Sequence, residues 1–217
     1  MSEYKKGRET RELLIDTAGG LAAKMGFFGV SMRAVAERSG ENLGSIHYHF
    51  GSKEALFEEV VKTAIVDFKE QPPWRVVESL TADASLAELS MAIREIVHQQ
   101  ISTLFNPEKP SWHARVIYQL LQHEGSLFEL FEREVLEPDT VAMRKLFLMI
   151  DSSLGDDELL LHILILNMPI FSHANYMSVI LKLLKTSEYS GEYLQRLEDL
   201  LVRQTQLLLG LPVDKQG

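Results

Sequence analysis

Apolar and polar positions follow the period of an α-helix along nearly the whole chain, and no segment shows the two-residue alternation of a β-strand. Prolines, glycines and helix-capping residues divide this pattern into separate segments. The predicted helices cover about residues 8–25, 32–39, 43–49, 53–70, 86–105, 112–124, 126–136, 138–153, 159–181 and 191–209, with one more possible short helix in 74–84. In the first of them the predicted buried stripe is Leu14, Ala18, Leu21, Ala22 and Met25. The pattern therefore predicts an all-α protein.

The most informative local pattern is a pair of short helices joined by a tight turn, followed directly by a third helix. Ser31, Asn42 and Ser52 each stand where a side-chain oxygen can accept a free N–H of the next helix. Gly40 stands at the turn, where the chain must enter the left-handed region that glycine tolerates. Two short helices with a glycine between them predict a helix-turn-helix unit, whose second helix enters a DNA major groove.

Residues 40–57 read GENLGSIHYHFGSKEALF, and this run resembles the signature of TetR-type transcriptional regulators. In that signature an aromatic-Tyr-His-Phe run ends the recognition helix and Ser-Lys-Glu follows it. The resemblance covers about residues 8–61. The opening Glu41-Asn42-Leu43 and the later run HARVIYQLLQHEG at 113–125 are similar to one subgroup, the CecR-like regulators.

The resemblance implies which residues touch DNA, position by position. Ser31 and Lys53 would hold phosphates, and Arg33 would reach a phosphate or a base edge. The residues that would face the groove or the sugar-phosphate backbone are Asn42, Leu43, Gly44, Ser45, His47, Tyr48 and His49. Hydroxyls and lysine suit phosphate contacts, asparagine and arginine suit bases, and Leu43 suits a thymine methyl group. Alternatively, Tyr48 and Phe50 simply pack the domain.

Two domains are predicted: a DNA-binding domain at residues 1–54 and a helical effector-binding and dimerisation domain at 55–217. A helix from residue 53 joins them, and Pro72 and Pro73 end it. Regulators of this type usually sense small molecules, and aromatic, Met and His residues suit an apolar pocket. The candidates are His98, Trp112, His113, Tyr118, Phe128, Phe131, Met168, Phe171, His173, Tyr176 and Met177. Such residues at helical spacing are more often plain core.

The last two long helices predict a dimer interface. Residues 159–181 contain no Lys, Arg, Asp or Glu, yet His, Asn and Pro within them argue against a membrane span. A helix that is apolar on most sides is usually buried among other helices. Residues 191–209 are rich in leucines that fit the same purpose: Leu194, Leu197, Leu200, Leu201, Leu207 and Leu208. Two helices from each subunit would form a four-helix interface. The alternative is a single intramolecular core.

Charge and composition limit the function further. The formal net charge is −9, but residues 1–54 carry +1 and residues 55–217 carry −10. Affinity for DNA phosphates is therefore expected to be modest, and pairing of two subunits would be needed. Four basic residues near the N-terminus either contact phosphate or form a solvated helix end: Lys5, Lys6, Arg8 and Arg11. The chain has no cysteine and a polar N-terminus, which together favour the cytoplasm.

No catalytic fingerprint, nucleotide-binding glycine loop or metal-ligand spacing occurs, so neither an enzyme nor a metal or other cofactor is expected. His47 and His49 lie two apart on a helix and face different ways. We expect a homodimeric repressor that binds palindromic double-stranded DNA and is released by a small-molecule inducer. The alternatives are an activator on the same fold and a helical ligand-binding or scaffold protein without DNA binding.

Overall fold

A computed structural model describes residues 3–122 and 124–213, with the backbone alone at residues 3 and 4. The described residues form helices with no strand, and 78% of them are helical, which confirms the all-α prediction. The α-helices are α1 Glu3–Gly29, α2 Met32–Ser39, α3 Leu43–Phe50, α4 Lys53–Ala64, α5 Val66–Glu70, α6 Pro73–Glu78, α7 Leu86–Leu104, α8 Trp112–Leu120, α9 Ser126–Phe131, α10 Glu137–Ile150, α11 Asp156–Asn175, α12 Met177–Leu184 and α13 Gly191–Leu208. A π-helical turn, Glu132–Leu136, joins α9 to α10.

The helices group into two compact units. The first contains the described residues of 1–66 and 107–132, and the second contains those of 67–106 and 133–217. Helix α4 belongs wholly to the first unit, because it packs on α1, α8 and α9. The predicted division between residues 54 and 55 separates a DNA-binding domain from an effector-binding domain by function, and it stays a prediction. The first compact unit is defined by packing and also contains α8 and α9.

The first unit buries one face of each DNA-binding helix. Val35 of α2, Ile46 of α3 and Leu56 of α4 are all fully buried. Met25 was expected in the stripe of α1, but its side chain is 52% exposed. The reason is a kink at Gly26, whose φ of 73° turns the chain so that Phe27 points inward instead. Phe27 packs edge-to-face on Phe57, with ring centroids 5.4 Å apart.

Several helix ends differ from the prediction. The helix expected over 53–70 is interrupted at Ile65, where two consecutive β-branched residues lower the helix propensity. Ser111 has helical backbone angles and no side-chain cap, so it does not start α8 as a capping residue. In contrast, Ser85 and Glu88 form a capping box at the start of α7, and the side chain of each accepts from the other's backbone N–H.

The second unit is centred on α7, which contacts α6, α10, α11 and α13. Its junction with α13 contains a buried carboxylate, Glu198, whose side chain is 6% exposed. Arg94 of α7 donates to one carboxylate oxygen at 3.1 Å, and His98 Nδ1 lies 2.8 Å from the other. These partners compensate for removing the charge from water and fix the register of the two helices.

Helix α11 is buried on only one side within this chain. It ends at Asn175 instead of continuing to 181, and α12 follows at an angle of 78°. One side packs in the second unit, while the other is exposed within this chain: Leu160, Leu161, Leu164, Ile165 and Met168. Within the described residues no single helix is long and apolar enough to cross a membrane, and only the bent pair α11–α12 passes that test by length and composition.

The glycine pair inside α1 has a packing role at one of its two positions. A Cβ atom on Gly19 would lie 2.5 Å from the ring of Trp112, whereas a Cβ atom on Gly20 would meet nothing within 4 Å. Trp112 is 7% exposed, and its Nε1–H donates to Asp16 Oδ1 at 2.7 Å. Gly19 therefore allows α8 to approach α1 closely.

We expect Gly19→Ala to destabilise the protein by about 1–3 kcal/mol, because the indole ring must shift in a packed core. The matched variant Gly20→Ala is expected to stabilise by about 0.5–1 kcal/mol, since alanine is the better helix former and has open space. Urea unfolding followed by circular dichroism measures both changes. Equal free energies of unfolding for the two variants would contradict the proposed role of Trp112.

Candidate nucleic-acid interface

The turn between α2 and α3 is shaped by two helix caps and one glycine. Ser31 Oγ accepts from the N–H of Ala34 at 3.1 Å, and Asn42 Oδ1 accepts from the N–H of Ser45 at 2.8 Å. Gly40 ends α2 in the left-handed region with φ 75°. The three local contacts that the sequence predicts are thus confirmed, and they fix the direction in which α3 leaves the turn.

The start of α3 presents small and polar groups to the outside of the first unit. Asn42, Leu43 and Gly44 are exposed, Ser45 is half-buried, and Ile46 points into the core. A Cβ atom at position 44 would lie 3.0 Å from Asn42 Oδ1. Gly44 therefore leaves room for the cap as well as for a close approach of another molecule.

The end of α3 carries three ring side chains with different surroundings. His47 Nδ1–H donates to the carbonyl of Gly51 at 2.9 Å, which ties the ring to the helix end. Tyr48 is 85% exposed, and its ring meets His49 edge-on at 5.1 Å. Phe50 is half-buried beneath the guanidinium of Arg11, which lies 5.4 Å from the ring centre. Phe50 thus packs the domain, while Tyr48 projects from it.

Helix α4 begins three residues after α3 ends. Ser52 Oγ accepts from the N–H of Ala55 at 3.1 Å, as predicted for a cap. Hydrogen bonds from the backbone and from Ser52 hold the pKa of the exposed Glu54 carboxyl below its usual value. Lys53 Nζ lies 3.5 Å from the carbonyl oxygen of Phe28 and 5.7 Å from the centre of the Phe57 ring. The ammonium group is therefore held at the surface beside the end of α3.

Basic residues around the unit fall into two groups. Arg33 is exposed in the first turn of α2, and no salt bridge reaches it from the described part of the chain. On α1, Arg8 pairs with Glu12 at 3.2 Å, and Arg11 pairs with Glu59 of α4. These pairs favour the reading of the N-terminal basic residues as a charged helix surface and leave Arg33 and Lys53 better placed for phosphates.

The predicted effector residues do not form one group. Five lie in the first unit: Trp112, His113, Tyr118, Phe128 and Phe131. Six lie in the second: His98, Met168, Phe171, His173, Tyr176 and Met177. Trp112 and Phe131 are buried, at 7% and 1% exposure, whereas Tyr176 is 55% exposed at the end of α11.

His173 belongs to a ring cluster that sequence reasoning did not find. Its Nε2 lies 3.1 Å from the hydroxyl of Tyr193, and the hydroxyl of Tyr189 donates to its carbonyl oxygen at 2.9 Å. The two tyrosine rings stack with centroids 5.2 Å apart. Burial, followed by the nearby Tyr193, raises the pKa of Tyr189 to about 12. Because Tyr189 precedes the final predicted helix and Tyr193 lies in its first turn, far along the chain from His173, no local pattern indicated the cluster.

The second unit also presents a continuous apolar surface. Exposed Leu164 and Met168 of α11 line a shallow groove together with Gln204 of α13. Gln204 also lines the neighbouring groove on α13, with Leu200 and Leu207. We call this combined face of α11 and α13 the α11–α13 face. An exposed apolar surface of this kind marks an interaction site.

Comparison with known proteins gives the same assignment for the N-terminal helices. Residues 14–60 match the model of the bacterial regulatory proteins of the tetR family. The HTH-type transcriptional repressor KstR2 of Rhodococcus jostii (strain RHA1) is 32% identical over 85 residues, which are 39% of this chain and 41% of KstR2. The aligned part therefore spans less than half of the length of that relative.

Solved structures resemble the chain over nearly its whole length. AibR in complex with isovaleryl coenzyme A and operator DNA has a TM-score of 0.60 at 13% identity, covering 90% of this chain and 97% of AibR. The SmeT–triclosan complex has a TM-score of 0.61 at 13% identity, covering 96% and 99%. At these identities the likeness concerns the fold. Residues 14–60, which contain the helix-turn-helix, are thus similar to the bacterial regulatory proteins of the tetR family, and the chain as a whole shares its fold with these solved structures.

Proposed function

We propose that this protein is a DNA-binding transcriptional repressor that acts as a homodimer and is released from its operator by a small molecule. The observation that carries the proposal is the helix-turn-helix of the first unit. Its capped helix α3 turns Ile46 inward and presents Asn42, Leu43 and Gly44 outward. A helix with this arrangement can lie in the major groove with its first turn against base edges.

Contacts to phosphates would come from both sides of α3. Ser31 and Arg33 lie at the start of α2, and Lys53 lies at the start of α4. His47, Tyr48 and His49 at the far end of α3 would meet the backbone or bases. Such contacts position the helix, while Asn42, Leu43 and Ser45 would read the sequence.

Dimerisation is supported by the α11–α13 face. Its exposed leucines and Met168 would leave water if the same face of a second copy covered them. Pairing would also strengthen DNA binding, because a domain with almost no net positive charge binds phosphates weakly as a single copy. Two copies would place two α3 helices on the half-sites of a palindrome.

The proposed repression and the proposed release by a small molecule are inferred from similar proteins. KstR2 is a repressor, AibR is seen with isovaleryl coenzyme A and operator DNA, and SmeT is seen with triclosan. We extend these modes to this chain as a proposal, together with the predicted CecR-like subgroup. The main competing function, a scaffold without DNA binding, predicts no saturable and sequence-dependent complex with genomic DNA fragments.

Selected genomic fragments provide the operator for a first test. Arg33→Ala and Ser45→Ala are each expected to weaken operator binding about tenfold or more, since each removes a contact worth about 1–3 kcal/mol. Fluorescence anisotropy at fixed salt measures the dissociation constant, and circular dichroism checks the fold. Arg133→Ala, which removes an exposed arginine of the second unit, is the matched control and is expected to bind normally. Unchanged affinity in both interface variants would overturn the assignment of these residues.

The Asn42 cap allows structural and DNA-binding effects to be separated. Asn42→Ala is expected to cost about 1 kcal/mol of stability, because the N–H of Ser45 loses its acceptor. Asn42→Asp keeps that acceptor and so keeps the stability, but it adds a negative charge that DNA repels. Operator affinity is therefore expected to fall in both variants, with thermal stability reduced only in the alanine variant. Full operator affinity in Asn42→Asp would show that Asn42 does not face DNA.

The α11–α13 face can be tested without DNA. Leu164→Glu and Leu207→Glu are expected to convert a dimer into a monomer of 24.7 kDa, because each would bury a carboxylate in an apolar interface. Sedimentation equilibrium measures the mass. Val141→Glu on α10, which replaces a side chain that is 62% exposed, serves as the control and is expected to remain dimeric. Dimers that persist in both leucine variants would exclude this face.

A further inference from the structure

A cavity of about 250 Å³ lies within the first unit, beside the first turn of α4. Its walls come from the end of α1, the start of α4, the end of α8 and the start of α9. The apolar lining residues are Phe27, Phe28, Phe57, Leu120, Leu127 and Phe128. Of these, only Phe128 was among the residues predicted to bind an effector, so the cavity is not the site that the sequence suggested.

The floor of this cavity is rigid and its rim is open. Phe27 and Phe57 are 6% and 2% exposed and are held edge-to-face against each other. Phe28, the next residue along the chain, is 76% exposed and stands at the rim. A ligand in the cavity would therefore meet aromatic side chains both at the floor and at the rim, which suits a flat aromatic molecule.

The size and charge of the cavity limit its ligand. A volume of 250 Å³ is just below the range of drug-sized sites, so the ligand should be compact, on the order of ten to fifteen non-hydrogen atoms. Lys53 lies on the lining together with two carboxylates, Glu54 and Glu124. Because both signs are present, a ligand of either charge would meet a like charge in the lining, while Gln119 and Ser126 offer hydrogen bonds to a neutral group.

We propose that this cavity binds a compact uncharged aromatic molecule that carries a hydroxyl or amide group. The proposed binding does not depend on the function of the protein. A second part of the inference, which rests on the proposed function, is that occupancy weakens operator binding through Lys53.

The route runs through a single side chain. Lys53 Nζ lies 3.5 Å from the carbonyl of Phe28, and its ammonium lies over the ring of Phe57. A ligand that packs against the Phe57 ring competes with the ammonium for that ring and so shifts a lysine that we place on a phosphate. By linkage, the ligand and the operator then weaken each other's binding by the same factor.

Calorimetric titration of the full chain with 1-naphthol tests the binding. We expect a dissociation constant below about 1 mM for this eleven-atom aromatic, in line with the affinity that compact ligands reach. Phe28→Ala should weaken binding at least about tenfold without unfolding, because the side chain is largely exposed. Ser126→Trp, which places an indole in the cavity, should weaken it likewise. Phe171→Ala changes an effector candidate of the second unit and so tests the competing site; it should bind as the unchanged protein does.

These measurements distinguish the cavity from a site in the second unit, and an uncharged ligand from a charged one. The proposed site would be overturned if 1-naphthol produced no heat of binding. It would also be overturned if Phe171→Ala abolished binding while Phe28→Ala and Ser126→Trp retained it. Tighter binding of 1-naphthoate or 1-naphthylmethylammonium than of 1-naphthol would overturn the preference for an uncharged ligand. Thermal denaturation of each variant confirms that a loss of binding is not a loss of fold.

Operator binding in the presence of 1-naphthol tests the coupling. Saturating 1-naphthol should raise the operator dissociation constant of the unchanged protein and leave that of Ser126→Trp unaltered. An unaltered constant in both would overturn the coupling while the titration results stand. A protein that binds 1-naphthol but forms no specific complex with any DNA fragment would overturn the proposed function and the coupling, with the binding site intact.

Discussion

The close approach of α8 to α1 is the constraint on which the first unit depends. It needs a residue without a side chain at Gly19, because the Trp112 ring occupies the space of a Cβ atom. The hydrogen bond from Trp112 to Asp16 fixes the orientation of that ring. Helix α4 packs against both α1 and α8, so its first turn is set by the same contact. The end of α3 lies only three residues earlier along the chain.

Two kinds of structure are therefore combined in this unit. The helix-turn-helix is defined by local caps, each spanning three residues, and these caps direct a small set of polar groups outward. The support beneath it is made by distant residues: Arg11 joins Glu59, and Phe27 joins Phe57. Rigid support matters for recognition, because a groove-reading helix has to hold its side chains in a fixed geometry. The cavity beside Lys53 lies where the two kinds of structure meet.

The distribution of charge gives the second unit its proposed importance. With +1 on residues 1–54 and −10 on the rest, attraction to phosphates cannot by itself hold one copy on DNA. The α11–α13 face offers pairing through apolar burial, which needs no positive charge. Within this chain the exposure of Leu164, Met168 and Leu207 is thus better explained by a partner surface than by a solvent role.

The sequence by itself determined the helical class, the similarity of the N-terminal helices to TetR-type regulators and the caps of the helix-turn-helix. These features depend on residues within one turn of each other, such as Asn42 with Ser45, so a linear pattern contains them. Tertiary structure decided what depends on distant partners. It turned Phe27 inward and left Met25 exposed, placed Trp112 on Gly19, and brought Tyr189 and Tyr193 to His173. It also left one side of α11 uncovered, because hydrophobic periodicity shows that a side chain prefers burial but does not show which surface buries it.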